Sequence, residues 1–218
     1  PTAGTTFGEP SIDWVFVNPK IGVTWRARPA LELFASLGQA GREPTRSDMF
    51  AGNDDLDDAA AAEILPLTRV APERLTDLEV GARWRRGTLS ASVNGFAMQF
   101  RNEIAPIGQI TLNGSQLRAN VARSSRVGVE GEATWRLRPT LQLSGNAMLM
   151  RARIAEYTDA GSAQSFTDVA PLLSPAVIAN AQAAWRPRSA IELALTVRHV
   201  GESQLANDGN GALVTPAF

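Results

Sequence analysis

Trp25-Arg26-Ala27-Arg28-Pro29 has three echoes along the chain: Trp84-Arg85-Arg86-Gly87, Trp135-Arg136-Leu137-Arg138-Pro139 and Trp185-Arg186-Pro187-Arg188. Three of the four are followed by the same alternation: Leu31-Glu32-Leu33, Leu141-Gln142-Leu143 and Ile191-Glu192-Leu193. The remaining one, Leu89-Ser90-Ala91, is close. These tryptophans lie 59, 51 and 50 residues apart, so four of the five in the chain hold one position in a repeating unit. Repetition on this scale has to be read before any single element is assigned.

The residues around each turn alternate with a period of two. Ile21, Val23 and Trp25 share a face opposite Lys20, Gly22 and Thr24. Leu78, Val80, Ala82 and Trp84 oppose Glu79, Gly81 and Arg83. Val129, Gly131, Ala133 and Trp135 oppose Glu130, Glu132 and Thr134; Ala179, Ala181, Ala183 and Trp185 oppose Asn180 and Gln182. Beyond the turns, Leu141, Leu143 and Leu149 stand against Gln142, Ser144 and Asn146, and Ile191, Leu193 and Leu195 against Glu192 and Thr196. This is the pattern of strands with two unlike faces. Each unit is strand, tight turn, strand, with Gly and Pro at the punctuation.

In order, the pattern predicts strands over Ser11–Arg26, irregular at Asn18-Pro19, then Pro29 to Gln39, Glu73–Arg86, Thr88–Asn102, Ser125–Leu137, Thr140–Arg151, Ala176–Arg186 and Ala190–Gly201. Three long loops are expected: Ala40 to Pro72, with a short helical turn at Ala59–Ala62; Glu103 to Ser124, with the hairpin signal Asn113-Gly114; and Arg153 to Pro175. Pro1 to Pro10 reads as loop, and Leu213 to Phe218 as the start of a further strand. In the fourth strand the apolar phase changes from Leu89, Ala91 and Val93 to Phe96, Met98 and Phe100. Either a bulge or an exit from the apolar layer produces that change.

Composition narrows the classes. The 218 residues suffice for one large β domain. A net charge of −1 offers no electrostatic case for nucleic acid, and the absence of cysteine rules out disulfides and thiolate metal sites. Pro1 to Gly8 lacks the charged region and apolar run of a signal peptide. No apolar run reaches the roughly 18 residues of a membrane helix, whereas a membrane strand needs only about 9–11, half of them polar.

Short turns at one end and long loops at the other, with tryptophan at the short-turn end, fit an outer-membrane barrel with periplasmic turns and aromatic girdles. A soluble sandwich fits less well. Its apolar face would be a packed core, yet here that face includes Gly131, Ala133, Gly145, Ala181 and Ala183. The opposite face, with Glu130, Glu132, Asn146, Asn180, Gln182 and Arg198, is too polar for a second core. The fold class is therefore all-β: an antiparallel up-and-down transmembrane β-barrel.

Several segments resemble TonB-dependent outer-membrane receptors. Arg42-Glu43-Pro44-Thr45-Arg46-Ser47-Asp48-Met49-Phe50 is similar to that family's loop after a mid-barrel strand. Pro72-Glu73-Arg74-Leu75-Thr76-Asp77-Leu78-Glu79-Val80-Gly81 resembles its "pE..t.yElG" strand. Phe96 to Ile104 resembles its aromatic strand end, and Asn120-Val121 with Arg126-Val127-Gly128-Val129-Glu130 its "N...a...GvE" strand. The resemblance covers nearly the whole chain. It implies a barrel of about 22 strands around an N-terminal plug. Residues 1–218 then read as eight or nine strands from the C-terminal half of that single barrel domain, without plug, TonB box or recognisable closing strand.

The implied function is TonB-dependent uptake of a scarce ligand across the bacterial outer membrane. The ligand is often a ferric siderophore, sometimes cobalamin, haem, another metal chelate or a glycan. The implied partners are outer-membrane lipid, that small-molecule ligand, and TonB through the N-terminal part. Alternatives are an open porin-like channel and a soluble β-rich binding module.

Candidate ligand contacts in the outer loops are Arg42, Arg46, Arg118 and Arg123, which suit an anionic chelate, together with Asp54 and Asp55. Trp25, Trp84, Trp135 and Trp185 are the expected interface girdle. The acidic run Asn53 to Asp58 lacks the glycine and spaced glutamate of a calcium loop. His199, the only histidine, has no neighbours spaced for a triad or metal site and stands where a girdle aromatic would. Glu130, Glu132 and Glu192 resemble hydrolase carboxylates, but their period-two placement makes them lumen-facing residues. No catalytic residue, cofactor or resident metal is expected.

Overall fold

A computed structural model describes residues 13–49, 70–110, 116–158 and 163–218. One antiparallel sheet dominates. Its strands are β1 (Lys20–Arg28), β2 (Leu31–Arg42), β3 (Glu73–Arg86), β4 (Leu89–Ile110), β5 (Gln116–Arg138), β6 (Leu141–Thr158), β7 (Ser165–Val169), β8 (Val177–Arg188) and β9 (Ile191–Val200). Strands β1 to β6 pair in chain order, β8 follows β6, and β9 closes the row; β7 pairs with the upper part of β6. A short helix, α1 (Arg46–Met49), follows β2. The chain ends in a small ribbon of β10 (Ser203–Gln204) and β11 (Val214–Thr215). The β3–β4 turn places Gly87 at φ 61°, a conformation that costs glycine nothing.

The sheet has the two faces the alternation predicts. Val80, Leu149 and Leu195 are exposed on the outward face, where the tryptophans also lie. Adjacent hairpins place each tryptophan beside the first apolar residue after the preceding turn: Trp84 opposite Leu31, Trp135 opposite Leu89, Trp185 opposite Leu141. Trp25 pairs with Leu33. On β4 the outward residues are Leu89, Ala91, Val93, Gly95 and Ala97, after which Gln99 and Arg101 turn the face polar. That apolar length matches the roughly 9–11 residues a tilted strand needs to cross a bilayer. The outward face thus leaves the apolar layer after Ala97. Pairing of β4 with β3 and β5 is continuous from Leu89 to Arg101, so no bulge causes the phase change.

Phe96, Met98 and Phe100 point inward, and two aromatics there do a specific job. Phe34 lies opposite Gly81, and Phe96 opposite Gly128. Each ring covers the bare backbone of its partner glycine, a cross-strand device that fills the missing side-chain space. A Cβ on Gly128 would stand 2.6 Å from the Phe96 ring and 2.5 Å from the Leu149 carbonyl oxygen. Gly128→Ala is therefore expected to destabilise the full-length receptor by about 1–3 kcal/mol through overpacking. Denaturant titration of the receptor in lipid vesicles reads this, and an unchanged midpoint contradicts the packing argument.

Among the described residues, a cluster of buried apolar side chains forms at the end away from the short turns. Ala105, Val121, Ile154, Tyr157 and Val169 are buried together there, flanked by Ile107 and Phe166. This corrects two expected loops. Residues assigned to the loop Glu103–Ser124 continue β4 and β5, paired from Glu103 with Val121 to Pro106 with Arg118. Much of the loop Arg153–Pro175 is the end of β6 and all of β7. Past the membrane band these strands no longer separate lipid from water, so their sequence loses the alternation that marked the rest.

Other boundaries shift as well. The first strand starts at Lys20 rather than Ser11, immediately after the proline that cannot donate to a ladder. Leu213–Phe218 supplies only the short β11, while Phe218 exchanges two backbone hydrogen bonds with Val200 (2.9 and 3.0 Å). Pro1 to Pro10, the helical turn at Ala59–Ala62, the acidic run with Asp54 and Asp55, and Asn113-Gly114 lie outside the described residues.

Candidate ligand face and membrane boundary

The inward face carries rows of polar side chains paired from strand to strand, interrupted by Phe34, Phe96, Met98 and Phe100. Arg83 donates to Glu32 at 2.9 Å and lies over the Phe34 ring at 4.3 Å. Ser92 and Asn94 donate to Glu132 and Glu130 at 3.1 and 3.3 Å. Asn180 donates to Asn146 at 2.9 Å, and Arg186 to Glu192 at 2.6 Å. The three glutamates that resemble hydrolase carboxylates are thus each held by a neighbouring strand. No group of three or more His, Cys, Asp or Glu able to hold a metal ion occurs among the described residues.

Towards the long strand ends the polar wall becomes a buried network. Glu103 accepts hydrogen bonds from Ser124 and Arg126, and the Arg126 guanidinium lies over the Phe100 ring at 4.5 Å. Asn120 accepts from the Ala71 N–H at 2.9 Å and donates to the Ala71 and Asn102 carbonyls at 2.9 and 2.8 Å. Asn102 sits at φ 53°, a conformation asparagine tolerates better than most residues. Asn207 is fully buried; it donates to the Pro106 carbonyl at 2.8 Å and accepts from the Leu172 N–H at 2.7 Å. These contacts tie the chain before β3, the β4–β5 hairpin and the C-terminal ribbon into one rim.

The candidate ligand contacts fall in different places. Arg42 ends β2, paired with Glu73 at 3.2 Å and donating to the Ile104 carbonyl at 3.3 Å. Arg46 begins α1. Arg118 and Arg123 belong to β5 rather than to a loop: Arg118 is exposed opposite Pro106, and Arg123 is exposed opposite Arg101 on the outward face. His199 continues the outward phase of Leu195 and Val197 near the end of β9. Sequence reading missed Glu103, Asn120 and Arg126 as network members. Their partners lie 18 to 49 residues away, and only the register brings them together.

No helix among the described residues is long and apolar enough to cross a membrane, which leaves crossing by strands open. The family model described as TonB dependent receptor-like, beta-barrel matches residues 2–218. The chain belongs to that family. Like other TonB-dependent receptor barrels it lies in the bacterial outer membrane, and the family comprises transport receptors rather than enzymes. Known structures share the fold at low identity. The copper transporter OprC superposes with a TM-score of 0.67 at 17% identity, covering 91% of this chain and 29% of that one. The ferric yersiniabactin uptake receptor FyuA from Yersinia pestis gives 0.62 at 16%, covering 91% and 28%. The siderophore receptor PiuA from Acinetobacter baumannii gives 0.65 at 14%, covering 93% and 28%. This TonB-dependent receptor chain therefore spans less than a third of the length of those structures. A search of curated protein sequences returned no match.

Proposed function

We propose that this chain is part of the barrel wall of a receptor that takes up a scarce ligand, such as a ferric siderophore or another metal chelate, with energy supplied through TonB. The observation that carries the reading is the sheet's two-faced build within this family. The outward face is apolar over one membrane thickness, and the inward face carries paired polar side chains from strand to strand, with Phe34, Phe96, Met98 and Phe100 among them. The strands then continue into an ordered rim. Buried polar atoms on that inward wall, Asp77 Oδ1, Asn94 Oδ1 and Arg126 Nη1, have no hydrogen-bond partner among the described residues. Such groups are costly beside an apolar filling and suit a wet or protein-filled lumen.

Ligand capture is assigned to the rim: Arg42, Arg46 and Arg118 with the segment Ala40 to Pro72, including Asp54 and Asp55. Its length and charge exceed what a connector needs. The tryptophans Trp25, Trp84, Trp135 and Trp185 anchor the periplasmic interface.

Uptake of labelled ferric chelates by cells carrying the full-length receptor tests this. Saturable uptake abolished by a protonophore is expected, and deletion of Asn53–Ala62 is expected to weaken it without loss of assembled receptor. Uptake that rises linearly with concentration and ignores the protonophore identifies an open channel instead.

A further inference from the structure

The outward face carries arginines abreast at one level. Arg74 of β3 lies directly opposite Arg101 of β4, and Arg101 directly opposite Arg123 of β5. The row beneath runs Thr76, Gln99, Ser125, Arg153. The next row is Leu78, Ala97 and Val127, the top of the apolar belt, ending on Arg151. Arg74, Arg101 and Arg123 are all exposed. Directly opposed side chains on a sheet face stand about 5 Å apart, and like charges so placed repel. Asp168 reaches Arg151 and Arg153 at 3.5 and 3.6 Å. Among the described residues Arg101 and Arg123 have no acidic partner within ion-pair distance. Arg74 stands over the Phe16 ring at 5.9 Å. A shallow groove of about 630 Å³ runs between them, lined also by Gln99 and Ser125.

We infer that this arginine ladder binds the phosphate groups of a phosphorylated lipid headgroup in the outer leaflet. The position decides the chemistry. These side chains point away from the lumen, so a transported ligand on the inward side does not meet them. Immediately below them the same face is Leu78, Val80, Val127, Val129 and Leu149, a surface for acyl chains. A ligand matching both halves is amphipathic, anionic at its head and apolar beneath. Guanidinium forks suit phosphate because they donate two parallel hydrogen bonds. Gln99, Thr76 and Ser125 supply neutral polar groups at the depth where glycerol or sugar hydroxyls lie. A bound phosphate also removes the repulsion along the ladder, so lipid and sheet stabilise each other.

The test uses the detergent-purified full-length receptor and native mass spectrometry with added bisphosphorylated lipid A or its dephosphorylated form. Wild-type receptor is expected to retain the phosphorylated lipid about tenfold more than the dephosphorylated one. Arg74→Gln/Arg101→Gln/Arg123→Gln is expected to lose most of that preference. Arg85→Gln/Arg136→Gln/Arg138→Gln, with the same charge change at the short-turn end, is expected to keep it. Equal retention of the two lipids by wild type overturns the inference, even if the triple variant fails to assemble. Equal losses in both triple variants reduce the effect to bulk charge and overturn it too. Complete displacement of the lipid by millimolar inorganic phosphate shows a free-anion site and excludes the lipid source.

Discussion

Val80→Arg is expected to destabilise the assembled receptor by about 2–4 kcal/mol, the cost of an arginine facing lipid near the bilayer midplane. Val80 is more than half exposed on the outward face. It lies on an interior strand, between Ala35 of β2 and Gly95 of β4. It is also four residues from Trp84 and six from Arg74, so its side chain is far from either polar boundary. An arginine there cannot extend its stem to water without local thinning of the bilayer.

Ser92→Arg is the matched control. Ser92 faces inward and already donates to Glu132 at 3.1 Å. A guanidinium at that site meets water and a carboxylate, so the change is expected to cost less than about 1 kcal/mol. Folding titrations of the full-length receptor into lipid vesicles compare the two directly. Similar losses at Val80 and Ser92 would mean that the faces are not lipid and lumen, and would take the membrane register with them.

The hairpins are legible in the sequence for a definite reason. Lipid on one side and water on the other impose opposite demands on alternate residues, and four tryptophans mark the same depth. That signal stops where the membrane stops. Glu103 to Ile107 and Arg118 to Ser124 lie beyond the apolar belt, where lipid no longer faces one side, so nothing forces alternation, and a paired hairpin there resembles a loop. Phe96 misleads for a related reason. An aromatic on the polar face looks like a break in phase until its partner glycine, Gly128, is known to lie directly opposite. The site is less legible still. Arg123 looks like a loop cation in sequence, and only the register with Arg101 and Arg74 shows it to be part of an outward ladder. Glu103 gives no sign of its ties to Ser124 and Arg126 because those residues are distant along the chain.

Expressed alone, residues 1–218 are expected not to form a soluble monomer and to transport nothing. The chain exposes 14803 Å², against about 9,700 Å² for a compact monomer of 23.3 kDa. On the outward belt Val23, Val80, Leu193, Leu195 and Val197 are each more than half exposed. A contiguous apolar face of that kind is stable against lipid and sticky in water. The ends of the sheet add a second drive. Among the described residues β1 pairs only with β2, and β9 pairs along its length only with β8. Each therefore presents a row of unpaired backbone groups. In water such edges template association, and in lipid each unpaired group costs several kcal/mol. The sheet cannot remove its edges by closing on itself. Strand tilt and stagger are tied to strand number, so the eight strands of the continuous row, cut from a larger wall, do not meet cleanly. Size-exclusion chromatography with light scattering in detergent-free buffer is expected to show aggregate and no monomer. A sharp monomer peak with a cooperative melt would mean that the outward face is covered in water, and would overturn the assignment of that face to lipid.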